Sequence, residues 1–194
     1  VHITLGPLDD VVAHLGHSPR RVVVAGVSGS GKTTLAQRLA TRLDLPHTEI
    51  DALFHGPGWT PRATFLDDVR GVVGQERFVV EWQYRAARQL LLDEADLVVW
   101  LDLPVATTMR QVVMRTVRRA RRREVLWNGN VEPPLRTVLR DRGHVIRWAW
   151  STRNSLRDLP ATVARQDTPP ALVRLRSRRQ VETWVRRLPA PPSR

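Results

Sequence analysis

The sequence predicts an α/β fold in which a mostly parallel sheet is covered by helices on both faces. Three observations predict it. Short apolar runs at 22–25, 78–80, 97–101 and 171–175 show little polar alternation, as strands buried on both faces do. Segments with apolar residues at helical spacing lie between these runs, which lets successive strands run parallel. A glycine-rich turn joins the first run directly to the helix after it. The length of 194 residues suits one such domain, a five-stranded sheet flanked by helices over 21–188.

That turn reads Gly26-Val27-Ser28-Gly29-Ser30-Gly31-Lys32-Thr33-Thr34. Between a β-branched strand and a helix, this spacing is a phosphate-binding P-loop. Small residues let successive backbone N–H groups turn inward around a β-phosphate, and the helix offers its positive dipole end. Lys32 is expected to bridge the β- and γ-phosphates, with the Thr33 hydroxyl on Mg²⁺. Lys32 is also the only lysine among 31 basic side chains, and a compact ammonium suits this position better than a guanidinium.

Residues 1–20 form a preface in which Leu8, Val11, Val12 and Leu15 predict a short helix ending at Gly16. The first strand covers 22–25, and the helix after the P-loop runs from Lys32 to Leu43, stopping before Pro46. Thr48-Glu49-Ile50 reads as the second strand, which places Asp51 just past a strand's carboxyl end, where open α/β sheets bind ligands. Asp51 is therefore a candidate to accept from a substrate hydroxyl or to hold a water on Mg²⁺. The segment 55–61 is a loop whose Trp59 is placed to stack on a substrate ring or to seal the loop. A helix over about 62–75, with Phe65, Val69 and Val72 on one face, leads to the third strand at 78–80, with Glu81 at its end near Asp51.

A short helix carrying Arg85 and Arg88 precedes the strand 97–101. A long helix from Pro104 to about Arg123 is expected to bury Val105, Met109, Val112, Val113 and Val117. Its second half is crowded with arginines, Arg119 and Arg123 among them, and Trp127-Asn128-Gly129-Asn130 breaks it. A basic helix running into such a loop, about 115–135, suits a lid whose guanidinium groups meet phosphate oxygens. A helix over about 135–159 holds Val138, Ile146, Trp148 and Trp150, with the tryptophans read as core. The strand 171–175 and a helix opened by Ser177-Arg178-Arg179 complete the fold before a frayed tail, 189–194.

The formal net charge of +12 fits either a nucleic-acid surface or arginines that face the phosphates of a small ligand. The arginines concentrate in the lid segment, and no nucleic-acid module is recognisable. No apolar run reaches the roughly 20 residues of a membrane span. The first residues lack the pattern of a secretory signal, and cysteine is absent, so a cytoplasmic location is expected.

These motifs together resemble the adenylate-kinase-like P-loop kinases, and more narrowly the group labelled topology modulation proteins. The resemblance covers nearly all of 21–188. It rests on the P-loop, Ile50-Asp51-Ala52-Leu53 with Pro57-Gly58-Trp59, the stretch from Ala95-Asp96 to Pro104, Leu126 to Asn130, Trp148-Ala149-Trp150, and Leu175 to Arg179. It implies a kinase using ATP and Mg²⁺, with the loop after Asp51 as acceptor-side flap and Arg178 near the adenine. Gly26, Ser28, Gly29, Ser30, Gly31, Lys32, Thr33 and Thr34 would hold the nucleotide. Where the group carries Asp-Gly-Asn-Tyr, this chain has Glu81-Trp82-Gln83-Tyr84, which bears on acceptor specificity.

The leading expectation is thus Mg-ATP-dependent transfer of a phosphoryl group to a small acceptor. Lys32, Asp51, Arg119 and Arg123 are the candidate catalytic residues, and Asp51, Trp59, Glu81, Arg88 and Trp127 the candidate acceptor-side residues. A hydroxyl acceptor would be oriented by Asp51, whereas a nucleoside monophosphate would have its phosphate clamped by Arg88. The alternatives are a nucleic-acid-associated P-loop NTPase and a nucleotide-binding regulator with little turnover.

Overall fold

The computed structural model describes residues 4–122, 124–131 and 144–189. Strands β1 (Thr4–Leu5), β2 (Arg21–Gly26), β3 (His47–Thr48), β4 (Phe78–Trp82), β5 (Leu97–Leu101) and β6 (Ala171–Leu175) form one sheet. Its order is β1-β6-β5-β2-β4-β3, and every neighbouring pair is parallel. The sheet is therefore six-stranded rather than five-stranded. The extra strand is two residues long, too short to show a pattern, and pairs beside Leu172 and Val173.

Alternating residues of β2 supply both faces of the sheet. Val22 and Val24 pack with Leu35 and Leu39 of helix α2 (Lys32–Leu43), Val11 of α1 (Val11–Leu15) and Trp184 of α9 (Arg178–Arg187). Val23 and Ala25 pack with Val69 of α4 (Phe65–Val73), Leu91 of α5 (Arg88–Glu94) and Val163 of α8 (Leu159–Ala164). Residues 22–25 are fully buried, as the unbroken apolar run requires. With β4 on one side and β5 on the other, the loop leaving β2 opens at the point where the strand order reverses.

The second strand ends earlier than expected, at Thr48, and Ile50–Phe54 forms a short helix, α3. The buried Glu81 carboxylate explains the change. It accepts from the Ile50 N–H at 3.0 Å, giving a helix-start donor a partner that a continued strand would have taken from the ladder. Asp51 thus sits in the first turn of α3 rather than at a strand end.

Helix α6 (Val105–Arg122) buries Thr108, Val112 and Thr116, whereas Val105, Met109 and Val117 are half-buried and Val113 is exposed. This face is set by the close approach of the glycine turn described below. The expected helix over 135–159 is not continuous in its described part. It contains α7 (Val145–Ser151), then turns up to α8. The Ser151 and Thr152 hydroxyls both donate to the Trp148 carbonyl, a local competition that weakens helix continuation. Ala149 is the buried residue of α7, so its neighbours Trp148 and Trp150 are exposed instead of lying in the core. Val138, Arg123, the lid segment beyond residue 131 and the tail from 190 lie outside the described residues.

Candidate active site

The loop leaving β2 is shaped by two left-handed glycines, Gly29 (φ 76°) and Gly31 (φ 92°). At Gly29 a Cβ would lie 2.4 Å from Val112 Cγ2 and 2.5 Å from the Thr108 carbonyl oxygen, so the turn rests directly on α6. Gly31 is the N-cap of α2 and offers no side-chain cap. The first N–H groups of a 12-residue helix are therefore left for an anion. Lys32 donates to the Val27 carbonyl at 3.3 Å, folded back over the loop. Burial lowers its pKa to about 8, against the opposing pull of the Asp51 and Glu81 charges and with a further push from Arg115 and Arg88.

A cavity of about 660 Å³ joins this loop to α3, α6 and α7. Ser28, Gly29 and Lys32 line one side and Asp51 another. Asp51 is held firmly. Its Oδ1 accepts from Gln83 Nε2 at 2.7 Å and from the Tyr84 hydroxyl at 2.6 Å. Oδ2 has no hydrogen-bond partner among the described residues. Tyr84 has a φ of 54°, unusual for an aromatic residue, and its ring stacks on Phe54 with centroids 3.8 Å apart. Burial first, and then the adjacent Asp51 charge, push the Tyr84 phenol far up, so it remains a neutral donor. His55 Nε2 lies 2.9 Å from the same hydroxyl. Burial lowers the His55 pKa, opposed by Asp51 and by the Trp59 main chain, which keeps the ring neutral near pH 7.

Arg115 and Arg119 of α6 line the same cavity as Asp51, with the Arg119 guanidinium 5.9 Å from the Trp127 ring centroid. Trp127 lies roughly parallel to His55, with ring centroids 6.2 Å apart, and donates to Glu49 Oε2 at 2.7 Å. Two tight turns meet here, 55–61 and 125–131, each closed by one antiparallel bridge. Asn130, 4% exposed, accepts from the Trp59 N–H at 3.0 Å and donates to the carbonyls of Gly56 and Trp127, both at 2.9 Å. Trp59 Nε1 donates to the Val131 carbonyl at 3.2 Å, and the Asn128 amide donates to the His55 carbonyl. The two turns are thus clasped, and both Trp59 and Trp127 are fixed at the cavity wall.

The remaining candidates lie elsewhere. Glu81, 3% exposed, is turned to His47 (3.2 Å) and the Ile50 N–H, not to the cavity. Its carboxylate pKa is lowered even though burial, the largest influence, raises it; the hydrogen bonds from His47 and Ile50 prevail. Arg88 stacks over Trp82 at 4.6 Å and borders a separate cavity of about 380 Å³. Arg178 borders a third, about 590 Å³, together with Arg110 and Gln111. With its amide oriented to suit its neighbours, Gln111 donates to the Gly29 carbonyl at 2.5 Å and accepts from Arg178 Nη2 at 2.8 Å. This third cavity therefore adjoins the P-loop through Gln111 and Gly29. Arg123 lies outside the described residues. Sequence reasoning passed over His55, Gln83 and Tyr84 as site residues, although Tyr84 closes the motif that begins at Glu81.

No family model matches the sequence. Over 43 residues the chain is 58% identical to a gluconokinase of Gluconobacter oxydans (strain 621H). That stretch is 22% of this chain and 24% of the gluconokinase, so the match spans about a quarter of the relative's length. Among solved structures, the chain resembles a shikimate kinase from Bacteroides thetaiotaomicron with a TM-score of 0.51 and 16% identity. That likeness covers 88% of this chain and 96% of the other. It also resembles a shikimate kinase from Acinetobacter baumannii, solved with shikimate, with a TM-score of 0.50, 15% identity, and 86% and 89% coverage. The fold is that of the P-loop kinases, a parallel α/β sheet with the glycine-rich loop at its switch point. Among the described residues, no helix is long and apolar enough to cross a membrane.

Proposed function

We propose that this protein is an ATP-dependent phosphotransferase acting on a hydroxyl group of a small molecule. One observation carries the reading: Asp51, a fixed carboxylate with one oxygen uncommitted among the described residues, lines the same cavity as Lys32 and the P-loop. ATP would lie with its phosphates on the loop and its base toward the cavity of Arg110 and Arg178. The acceptor would occupy the space between Asp51, the flap and the lid.

In the reaction, the acceptor oxygen attacks the γ-phosphorus of ATP. A new P–O bond forms as the bond to the β,γ-bridging oxygen breaks, and ADP leaves. Asp51 Oδ2 orients the hydroxyl and takes its proton. Lys32 and the arginines at positions 115 and 119 offset the charge spread over the phosphoryl oxygens. Thr33, half-buried in the first turn of α2, is the residue that would hold Mg²⁺ beside the phosphates. No group of three or more acidic or histidine side chains among the described residues forms a metal cage, so the phosphates themselves would supply further ligands. The ion would contribute charge neutralisation at the β- and γ-oxygens.

The motifs shared with the topology modulation group support the same reading. A nucleoside monophosphate as acceptor is less well supported, because Arg88, its expected clamp, borders another cavity. The test is an ATP-consumption screen over sugars, sugar acids, amino alcohols, nucleosides and nucleoside monophosphates. Gluconate and shikimate, named by the similar proteins, belong in its first round. Asp51→Asn should keep ATP affinity and lower transfer to the hydroxyl acceptor by roughly a thousandfold, the scale of a lost general base plus its orientation. Transfer undiminished in that variant, or hydrolysis that needs DNA and no acceptor, would overturn the reading.

A further inference from the structure

His55, Tyr84 and Asp51 form a chain of hydrogen bonds whose proton positions are fixed by counting. A phenol has one proton. At 2.6 Å from a carboxylate oxygen, Tyr84 must donate it to Asp51 Oδ1, since a carboxylate can only accept. The contact at 2.9 Å between Tyr84 Oη and His55 Nε2 therefore requires the proton on His55 Nε2, with Tyr84 accepting. Burial, which disfavours the imidazolium, leaves that neutral ring as the form present. Tyr84 is held in place at a cost, in left-handed backbone at φ 54°, and such positions persist only where their surroundings over-determine them. Here the surroundings are the stacked Phe54 ring at 3.8 Å, the Asp51 carboxylate and the His55 imidazole.

We infer that His55 is a positioning residue for Asp51, acting through Tyr84. The imidazole N–H fills an acceptor site on the phenol oxygen, commits the phenol proton to Asp51 Oδ1, and with Gln83 saturates that oxygen. Oδ2 is left as the basic oxygen, in a single orientation toward the acceptor hydroxyl. The inference rests on the phosphotransferase reading and adds the device that selects which carboxylate oxygen receives the proton. Among the described residues, the charged or titratable groups facing His55 are Asp51 and Tyr84; its Nδ1 is buried without a hydrogen-bond partner, and its ring also meets Phe54, Trp59 and Trp127.

Steady-state kinetics on the full chain, with the acceptor found by the screen, tests it. Gln carries an N–H at the reach of Nε2, so His55→Gln should keep kcat within about threefold. His55→Ala should lower kcat roughly tenfold, the rate equivalent of one hydrogen bond, with KM for ATP unchanged. Tyr84→Phe should lower it at least as much, and adding His55→Ala to Tyr84→Phe should cost nothing further. An equal loss from His55→Ala in both backgrounds would overturn the inference, placing the effect in the Trp59 and Trp127 contacts instead. The unaltered protein gives a second readout, because ¹⁵N shifts of the His55 ring should report the Nε2–H tautomer; the Nδ1–H tautomer would overturn it. Failure of the parent reading looks different, since Asp51→Asn would then keep full transfer.

Discussion

Replacing Asn130 by Asp changes one atom and should release the 125–131 turn from the 55–61 turn. The side-chain oxygen that accepts from the Trp59 N–H can stay, but the amide nitrogen that donates to Gly56 and Trp127 becomes a second oxygen facing two carbonyls at 2.9 Å. Asn130 is 4% exposed, so water cannot readily take over either carbonyl while the turns stay closed. An unsatisfied buried acceptor costs about 1–3 kcal/mol. Only the Gly56 carbonyl is left unpaired, since the Trp127 carbonyl keeps the Asn130 main-chain N–H at 3.2 Å, but the new carboxylate oxygen also faces both carbonyls without a proton, and the total comes to about 2–4 kcal/mol. The loss is expressed as opening of the clasp, because the clasp lies outside both sheet cores. At about 1.4 kcal/mol per factor of ten, the open population rises by about 30- to 1,000-fold. Hydrogen exchange read by mass spectrometry should show the amides of 56–60 accelerated by that factor, with the β2, β4 and β5 amides unchanged. The kcat/KM for the acceptor should fall at least tenfold. If exchange at Trp59 and kcat/KM both stay within about twofold of the parent protein, Asn130 is not what holds the two turns together.

Lys32, with its pKa lowered to about 8, should take up a proton when a triphosphate binds, because the added negative charge restores the ammonium. The sign is definite. At pH 8.5 ATP binding should be accompanied by proton uptake, measured calorimetrically in buffers of different ionisation enthalpy, and Lys32→Ala should abolish that uptake. At pH 6.5, where the ammonium is already present, the two proteins should differ little in proton exchange. Gly29→Ala combines a left-handed backbone, about 1–2 kcal/mol for an L-residue, with a Cβ 2.5 Å from the Thr108 carbonyl oxygen. It should weaken ATP binding more than tenfold while thermal unfolding, followed by circular dichroism, shifts by only several degrees. Arg178→Ala should raise KM for ATP and leave KM for the acceptor alone, a split readable in two-substrate kinetics.

The glycine-turn side of the candidate site is local in sequence, and that made its geometry legible. Strand, glycine turn, lysine and helix cap occupy one stretch, and the P-loop geometry follows from a few φ angles that only glycine adopts freely. The strands at 97–101 and 171–175 were equally legible, since an apolar run flanked by polar residues needs no distant partner to be recognised. What was not legible depends on residues far apart in the chain. Helix α3 replaces the end of a strand because Glu81, about 30 positions away, meets Ile50. The same separation hides the bond between Asp51 and Tyr84, and one about twice as long hides the contact of Asn130 with Trp59. Trp148 and Trp150 misled for the opposite reason. Composition argues for burying tryptophan, but in so short a helix one small residue, Ala149, takes the covered face.

The clasp between the two turns has a consequence for how acceptor preference can change. Its bonds run from side chains of one turn to the main chain of the other, in both directions. A foreign 55–61 turn would leave Asn130 and Val131 facing the wrong groups, and a foreign 125–131 turn would strand Trp59 and Gly56. Neither turn contributes to the sheet or the phosphate loop, so the pair can be exchanged as a unit while the donor machinery stays as it is. Under the phosphotransferase proposal, the wall that would meet the acceptor is a matched pair of turns, to be replaced together rather than one at a time.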